Sequence, residues 1–520
     1  MRWRAIILSA AALLTLRPAI LRAQTSGPPA EEVAPQSNLN PPDENTPREL
    51  VYPYYSLREG TESVLKMMDR APRPIAYTVA VHSQSGQTVT SPLKTIQPTE
   101  EVEINVKKLL NDLNVDWRGD FLEGTLSIHF KGKGNPLGGR MLIAGPHESW
   151  NIGPVWSSGE FGQNMVPAEL DTLWWDLGGT RDVAMRVSNI TPRAVVADLY
   201  LEFAGKQHKL APLEFGPYQM KRFSVTELLN GMKLTAYQAP IGGLSIIPRG
   251  VTNALIAQGY ISDAELGQQA GVLFPLPQLQ AASALHATGV PIGPPSSDSP
   301  FAGIKDGNFT PHVYLRNQLD SEQTITLTVE FPGDEGPRLI PLPPLKLPGF
   351  TTQDIRLDSY YNYLPLPAPY CALRVQYNGP PGSVIGQLTS VNENNARVNP
   401  IPLDNEGNGY AGSLASYWGF DDQTDFLVFL TNASDEDCRV AFKIEAGGVE
   451  YNLTRLKLIP HETKHINLRE LRDKQEADFR GKVLPATVTE GRLMYIRGDN
   501  VPMIGRVAIV PRLKQGATSH

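Results

Sequence analysis

The chain has 520 residues and carries 47 basic and 54 acidic side chains, which gives a formal net charge of −7. Neither sign of charge forms a long block, so nucleic acid, which needs a concentrated basic surface, is not an expected partner. Glycine and proline number 45 each, above their average usage in proteins, and this excess predicts dense turns and argues against long helices.

The N-terminal segment predicts export. Arginines at the start precede an apolar run from Ala5 to Leu16 and a small-residue exit near Ala23, which is the layout of a secretory signal peptide. The run is shorter than the ~20 residues that a spanning helix needs, so no integral membrane span is expected in the mature chain. We therefore expect a secreted, periplasmic or cell-surface protein.

A degenerate phrase, a proline followed at a near-constant spacing by two alternating apolar residues, occurs four times. Its copies are Pro98–Val106, Pro217–Val225, Pro348–Leu357 and Pro460–Leu468. Each copy is preceded by a loop residue, at Arg70, Asn189, Asn317 and Asn432. Each is followed by a predicted strand that opens at Gly124, Gly243, Ala372 or Gly491, and then by a small residue at Gly139, Ala257, Gly386 or Gly505. These regular offsets predict four repeats.

Within the repeats, apolar residues recur with a period of two, as in Val195–Phe203, Thr324–Phe331 and Phe426–Leu430, which indicates strands with one buried face. Short helical turns are expected once per repeat, at 106–113, 225–229 and 468–472. A spacing near ~100 residues matches a small sandwich domain. The sequence therefore predicts an all-β fold of four tandem immunoglobulin-like β-sandwich repeats with short helical turns. In outline it resembles the tandem immunoglobulin-like modules of secreted bacterial surface proteins, and this resemblance implies no site residues.

Domain boundaries are expected where composition changes. Six prolines and few bulky apolar residues predict a disordered tether before the first repeat, and a second proline-rich stretch predicts a hinge between the two halves. The expected order is signal peptide 1–23, tether 24–49, repeat 1 at 50–146, aromatic and glycine-rich linker 147–165, repeat 2 at 166–271, hinge 272–300, repeat 3 at 301–391, polar linker 392–409, repeat 4 at 410–513 and tail 514–520.

Two motif matches have simpler explanations. His461 and His465 satisfy H-E-x-x-H, but the repeat places them at the entry of a strand, where residues four apart stand ~13 Å from each other at ~3.3 Å per residue. Zinc bonds its nitrogen ligands at ~2.0 Å, so such a pair cannot share one ion. The run from Gly407 to Gly412 satisfies G-x-G-x-x-G but lacks the preceding core strand of a dinucleotide site. We expect a solvated strand entry and a glycine loop, and no cofactor.

The same polar loop carries a candidate calcium site. Asp404, Glu406 and Asn408 occupy the first, third and fifth positions of a calcium loop, and glycine follows at the sixth. The twelfth position is Ala415, so the bidentate carboxylate is missing. Calcium binding and a plain polar turn remain the two interpretations, and no other metal site is expected.

The tryptophans provide the candidate ligand-binding residues. Trp175 and Trp418 each lie 14 residues before a repeat loop asparagine, so they are expected to be structural. Trp150 and Trp156 have no counterparts in the other repeats, which leaves two interpretations, packing between repeats or a platform for stacking on sugar rings.

The cysteines and the possible glycosylation sites are also open to more than one interpretation. Cys371 and Cys438, the two cysteines of the chain, could form a disulfide or remain buried thiols. Asn-x-Ser/Thr sequences occur at Asn189, Asn308, Asn432 and Asn452, and they would be glycosylated only in a eukaryotic host.

The sequence is repetitive and contains no recognised catalytic motif, which favours a function other than catalysis. No G-x-S-x-G elbow and no P-loop occur in the sequence. We therefore expect a non-enzymatic exported protein that serves as a scaffold, spacer or adhesion surface in the cell envelope or outside the cell, with an envelope or extracellular protein or a polysaccharide as partner. The alternatives are a carbohydrate-binding protein of wall or matrix and a hydrolase of unrecognised type.

Overall fold

Strands account for most of the ordered backbone in the computed structural model. It describes residues 47–69, 71, 73–98, 100–132, 137–145, 149–153, 155–156, 170–171, 175–178, 181–250, 254–263, 267–272, 283–302, 304, 308–392, 401–407, 413–446, 449–497 and 501–512.

Repeat 1, as the structure defines it, runs from 47 to 156 and forms two antiparallel sheets. Their orders are β10-β1-β7-β3-β4, with β5 also on β3, and β6-β2-β8-β9. The elements are β1 Pro47–Ser56, β2 Glu62–Asp69, β3 Ile75–Ser83, β4 Thr88–Thr90, β5 Lys94–Ile96, β6 Glu101–Asn105, α1 Val106–Asp112, β7 Glu123–Lys131, β8 Leu137–Ala144, β9 Ser149–Ile152 and β10 Val155–Trp156.

Repeat 2, from 170 to 272, has the same plan. Its sheets are β11-β18-β14-β15, with β12 on β18 and β16 on β14, and β17-β13-β19-β20. The elements are β11 Leu170–Asp171, β12 Trp175–Asp176, β13 Arg181–Asn189, β14 Val195–Phe203, β15 Lys206–Lys209, β16 Leu213–Phe215, β17 Met220–Ser224, α2 Val225–Gly231, β18 Ile241–Pro248, β19 Leu255–Asp263 and β20 Gly267–Val272.

Repeat 3, from 284 to 405, replaces the helix by a 3₁₀ segment, Leu357–Tyr363. Its sheets are β24-β23-β27-β21-β30, with β25 on β23, and β26-β22-β28-β29. The strands are β21 Ala284–Val290, β22 Thr310–Asn317, β23 Gln323–Phe331, β24 Arg338–Pro341, β25 Leu345–Leu347, β26 Thr352–Arg356, β27 Cys371–Tyr377, β28 Val384–Val391, β29 Ile401–Pro402 and β30 Asp404–Asn405.

Repeat 4, from 413 to 511, has sheets ordered β31-β36-β33-β34 and β35-β32-β37. Its elements are β31 Ser413–Gly419, β32 Thr424–Asn432, β33 Cys438–Ala446, β34 Val449–Leu458, β35 Thr463–Asn467, α3 Leu468–Asp473, β36 Glu490–Arg497 and β37 Met503–Pro511.

The three predicted helices are confirmed, and each begins at a side-chain cap. Asn105 and Asn467 accept hydrogen bonds from backbone N–H groups of the first turns of α1 and α3. Ser224 and Glu227 form a reciprocal capping box at α2. These caps satisfy N–H groups that would otherwise lack a partner, and such a cap typically stabilises a helix by ~1 kcal/mol.

Each repeat buries an apolar core between its two sheets. Leu199 and Leu201 of β14 and Val183 and Val187 of β13 meet in the core of repeat 2. Burying an aliphatic side chain of this kind contributes ~1.5–3 kcal/mol, so these cores dominate the stability of the fold.

Strands β13 and β32 are buried on both faces over most of their length, because consecutive repeats pack on each other. The last seven residues of both β13 and β32 are all buried, whereas an isolated sandwich would leave every second residue exposed. Repeat 4 returns to repeat 1, where Lys66 Nζ lies 2.9 Å from a carboxylate oxygen of Glu490. The eight sheets therefore follow one another in a closed ring, an eight-bladed β-propeller arrangement.

The prediction of tandem immunoglobulin-like sandwiches, and the resemblance drawn from it, is therefore wrong, although the all-β class is confirmed. The physical reason lies in runs such as Phe426–Leu430, which are apolar at every position. Such a run marks a strand that is buried on both faces, not one face of a two-sheet sandwich.

Strand pairing also refines the alignment of the repeats. Asp69, and not Arg70, is the counterpart of Asn189, because each accepts a hydrogen bond from the backbone N–H two residues later. By pairing register, Gly242 and Cys371 are the counterparts of Gly124. Within the expected hinge 272–300, residues Ala284–Val290 form the fully buried strand β21.

None of the helices in the described parts of the chain is long and apolar enough to cross a membrane.

Candidate functional site

The proline phrases form tight turns at the junctions between repeats. Tyr218, Phe350 and His461 each follow such a proline and have left-handed backbone conformations, with φ of 53°, 48° and 59°. The backbone N–H of Met220 donates to Gln84 O of the preceding repeat at 3.0 Å, and a Cβ on Gly86 would lie 2.2 Å from Pro217 O. Gly86 therefore lets the two backbones approach closely.

The H-E-x-x-H pair lies in this turn and in the strand that follows, as predicted, but His461 is buried and not solvated. His461 is the turn residue, and His465 belongs to β35. Nδ1 of His461 lies 3.4 Å from a carboxylate oxygen of Glu330 in repeat 3, and its Nε2 lies 2.8 Å from Asp435. The contact with Glu330 raises the pKa of His461, which links this histidine to the preceding repeat.

In every repeat, the residue three positions before the loop residue Asp69, Asn189, Asn317 or Asn432 faces the preceding repeat in the ring. In junction 1/2, between repeats 1 and 2, Arg186 Nη2 lies 3.4 Å from Glu123 and stacks on Tyr54. The facing positions hold Arg186 and Glu123 in junction 1/2, Tyr314 and Ile241 in junction 2/3, Phe429 and Tyr370 in junction 3/4, and Lys66 and Glu490 in junction 4/1.

Three of the four junctions bury the side chains at their contacts, and we call them sealed. The fourth, junction 4/1, leaves its contact partly exposed to solvent, and we call it open. The side chains of Arg186 and Glu123 are 2% and 4% exposed, and Phe429 and Tyr370 pack with ring centroids 5.2 Å apart. Junction 2/3 also buries Arg316, whose Nη2 lies 2.6 Å from Glu202. In junction 4/1 the side chains of Lys66 and Glu490 are 26% and 47% exposed.

A cleft lies along this open junction, and we call it the junction cleft. Its smaller part, of about 210 Å³, is lined by residues that include Lys66, Glu103, Arg140 and Trp418. Its larger part, of about 590 Å³, is lined by Glu445, Glu450 and neighbouring residues of repeat 4. Glu101 and Glu490 line both parts, so the two volumes lie next to each other at these side chains. The larger volume lies within the ~300–1,000 Å³ range of ligand pockets.

Glu101 is the carboxylate at the centre of the cleft. Partial burial and the neighbouring Glu490 raise its pKa, and Lys66 and Arg140 offset this only in part. Its counterparts in the other repeats, by position before the helix, are Met220, Thr352 and Thr463, which are all buried in sealed junctions.

A second repeated feature is an aromatic residue at or after the end of each helix or 3₁₀ segment, exposed in three of the four repeats. Tyr237 is 96% exposed, Tyr363 is 72% and Phe479 is 71%. Trp117 is the half-buried counterpart in repeat 1, with Lys107 Nζ 4.4 Å from its ring centroid. We call these four segments the aromatic loops. The sequence contains an aromatic residue at or after the end of this segment in every repeat, but recognising the recurrence required the strand alignment.

Trp150 and Trp156, the predicted carbohydrate residues, lie on different sheets of repeat 1. The backbone of Trp150 pairs with Ile143 in β8, and that of Trp156 pairs with Leu50 in β1. Their side chains lie outside the described residues. Trp175 and Trp418, predicted to be structural, are both fully buried in repeat cores, which confirms that prediction.

Within the calcium candidate, Asp404 lies in β30, and burial raises its pKa to about 6. Glu406 Oε2 lies 3.2 Å from His286 Nε2 and 3.5 Å from Arg374, so it already faces two donors. Asn408 lies outside the described residues, as do residues 408–412 of the glycine run. Among the described residues, no group of three or more His, Cys, Asp or Glu side chains is placed to hold a metal.

The cysteine alternative is resolved in favour of two buried thiols, because Cys371 and Cys438 are both free and buried. Asn189 and Asn432 are also buried, and their side-chain amides donate to backbone carbonyls, so these two Asn-x-Ser/Thr sequences are structural. Asn308 is exposed.

No family model matches the chain, and no curated protein matches it in sequence. A crystal structure of a mutant Salmonella alpha-2-macroglobulin aligns with 9% identity and a TM-score of 0.15, over 91% of this chain and 30% of that chain. The chain thus spans about a third of the length of that protein, and at this TM-score the likeness supports neither a fold nor a function.

Proposed function

We propose that the protein is a non-enzymatic scaffold that works outside the cytoplasm and adheres to a component of the cell envelope through its aromatic loops. The observation that carries the proposal is an exposed aromatic side chain at or after the end of the helix or 3₁₀ segment in three of the four repeats, with the half-buried Trp117 in the remaining one. Single exposed apolar residues are common on protein surfaces, but three that follow the helical segments of different repeats around a ring would give a multivalent surface. The signal-like N-terminal segment supports action outside the cytoplasm.

A scaffold or adhesion role fits the closed ring better than a spacer does. A spacer separates its two ends, whereas contacts such as Lys66 with Glu490 hold the first and last repeats together. The sealed junctions with their buried ion pairs and aromatic contacts support a rigid body, and rigidity keeps the four loops at fixed separations. Fixed separations lower the entropic cost of multivalent binding.

The test uses a triple variant, Tyr237→Ser, Tyr363→Ser and Phe479→Ser. Because these side chains are exposed, each change should alter the free energy of unfolding by less than ~0.5 kcal/mol. Co-sedimentation with envelope fragments from the producing organism measures adhesion. We expect the triple variant to bind at least roughly tenfold more weakly than the wild type, since each lost ring removes one of several linked contacts.

A matched control replaces three exposed apolar residues outside the aromatic loops, Leu93→Ser, Leu339→Ser and Ile509→Ser. The control should bind like the wild type. Repeating the assay on protease-treated fragments distinguishes an envelope protein from a polysaccharide as partner. Equal adhesion by the triple variant and the control, or no adhesion by the wild type, would contradict the proposal.

The carbohydrate-binding alternative has its own test. If Trp150 and Trp156 form a sugar platform, changing both to Ala abolishes binding to envelope polysaccharide and leaves the melting temperature unchanged. If they pack between elements, the same change lowers the melting temperature, because truncating a buried Trp costs ~3–5 kcal/mol.

A further inference from the structure

The junction cleft is open at a position that the other three junctions close. Met220, Thr352 and Thr463 are buried where their counterpart Glu101 faces the cleft. A sealed junction needs an apolar or small polar side chain there, because an unpaired buried carboxylate would cost several kcal/mol. Glu101 is therefore suited to a junction that stays accessible to solvent, where its carboxylate can pair with a cationic ligand group.

Within the larger part of the cleft, carboxylates are in excess. Four of them line it, and no basic side chain of the described residues does. Three of the four carboxylates are already compensated by a base at 2.9–3.3 Å, in the pairs Glu490–Lys66, Glu445–Arg492 and Glu450–Lys443. Among the described residues, Glu101 forms no ion pair of its own. A cationic ligand group would compensate it.

The smaller part of the cleft offers an unused donor. Trp418 is fully buried, lines the cleft, and its Nε1–H has no hydrogen-bond partner. Its counterpart Trp175 donates the same N–H to Ala239 O at 3.0 Å. In repeat 4 the equivalent carbonyl, that of Val488, accepts from Arg472 Nη1 at 3.2 Å instead. A buried N–H without a partner is costly, so an acceptor supplied by a ligand would stabilise this site.

The strand edge beside the cleft favours an extended organic ligand. Among the described residues, these carboxylates do not form a cluster that could hold a metal. Three consecutive residues of the edge strand β6, Glu101 to Glu103, line the cleft. Since successive side chains point to opposite faces of a sheet, this lining places the strand edge itself against the cleft. Such an edge can pair with an extended peptide.

We propose that the junction cleft binds an extended peptide segment carrying a lysine or arginine side chain, whose cationic head pairs with Glu101 while a peptide carbonyl accepts a hydrogen bond from Trp418 Nε1. The apolar lining supplied by Met68, Ala446 and Val449 suits the aliphatic stem of such a side chain. This proposal is independent of the aromatic loops, because none of the four aromatic residues lines the cleft.

The test compares two blocked peptides, acetyl-Gly-Gly-Lys-Gly-Gly-amide and the same peptide with norleucine in place of lysine, by isothermal titration calorimetry at low salt. The full-length protein should bind the lysine peptide at least roughly tenfold more tightly, which is the usual scale of a charge-assisted contact. Glu101→Gln should abolish this preference. Trp418→Phe should weaken both peptides by a similar factor, because it removes a contact to the backbone.

Glu214→Gln is the matched control, since it removes an exposed charge of β16 away from the cleft and should keep the lysine preference. Glu101→Met, which installs the residue that junction 1/2 carries at this position, should abolish the preference while keeping the fold. The proposal is overturned if the lysine peptide does not bind, if both peptides bind equally, or if the preference survives in both Glu101 variants. If the aromatic-loop variant loses adhesion but still prefers the lysine peptide, the peptide-binding proposal is supported and the adhesion proposal is tested separately.

Discussion

At the scale of the residue, one buried asparagine in each of repeats 2, 3 and 4 ties the loop after its strand to the turn at the proline phrase. Asn317 Nδ2 donates to Ser321 O at 2.7 Å, Leu347 O at 3.1 Å and Pro348 O at 3.2 Å. Its Oδ1 accepts from Leu319 N at 3.0 Å. The side chain is fully buried, so water cannot replace these partners.

Replacing Asn317 by Ala should lower the free energy of unfolding by about 2–3 kcal/mol, because several buried backbone groups lose their partner. Urea denaturation measures this loss. Asn230→Ala, at an exposed site in α2, is the control and should change stability by less than ~0.5 kcal/mol. Equal losses at the two sites would show that the asparagine does not hold the loops together.

The pair of Arg316 and Glu202 at sealed junction 2/3 is more buried than that of Arg186 and Glu123, with side chains 0% and 1% exposed. Arg316→Met alone should lower the free energy of unfolding by ~3–5 kcal/mol, since it leaves a buried carboxylate unpaired. Adding Glu202→Leu should recover much of the loss. A double-mutant cycle by thermal denaturation measures the coupling, and additive losses would refute a direct interaction.

At the scale of the element, β12 and β31 occupy equivalent places in repeats 2 and 4, but only the tryptophan of β12 donates an internal hydrogen bond. Trp175→Phe removes the hydrogen bond to Ala239 O, whereas Trp418→Phe removes no internal hydrogen bond. We expect Trp175→Phe to lower the free energy of unfolding by about 1 kcal/mol more than Trp418→Phe does. Chemical denaturation of both variants checks this, and a larger loss for Trp418→Phe would contradict the unpartnered indole.

The turn before β35 carries a pH-sensitive contact. The ion pair with Glu330 raises the pKa of His461, assisted by Asp435 and opposed by burial and Arg374. Because the folded-state pKa lies above the unfolded value of about 6.5, protonated His461 stabilises the folded protein. This contribution is complete below about pH 6.5 and is lost as the pH rises through the folded-state pKa.

His461→Asn keeps a residue that tolerates the left-handed backbone and removes the titrating group. The loss of unfolding free energy caused by this change should be larger near pH 5.5 than near pH 8.5, as measured by urea denaturation at each pH. In a Glu330→Gln background this pH dependence should shrink. A loss that is constant with pH would mean that the ion pair does not contribute.

Local patterns predicted the elements well and their surroundings poorly. The apolar position after each proline phrase and the cap at Asn105, Ser224 or Asn467 determine a strand followed by a helix within a dozen residues, so sequence spacing reveals them. The partner of a strand's outer face is not local. Nothing near Lys66 indicates that it contacts Glu490, 424 residues away, and therefore the junction cleft and Glu101 were not predicted.

At the scale of the whole molecule, closure of the ring explains why both faces of β13 and β32 are buried. It also explains why the repeats share contacts at equivalent positions in four junctions, three of them sealed and one open. The sequence predicts the number of repeats but not their arrangement, because a repeated apolar face can be covered by the next repeat or by a second sheet of its own. Contacts between repeats 4 and 1, such as that of Lys66 with Glu490, distinguish a closed ring from a linear row of four repeats.

The distance between repeats 1 and 4 in solution tests this closure most directly. Spin labels on Glu103→Cys and Thr487→Cys, on opposite sides of the junction cleft, can be measured by double electron–electron resonance, while the native cysteines are buried. A closed ring predicts a single distance shorter than one repeat diameter, roughly 35 Å for ~115 residues. A row of four separate modules would place the labels about three diameters apart, near ~100 Å, and a signal without any distance below ~60 Å would contradict the ring.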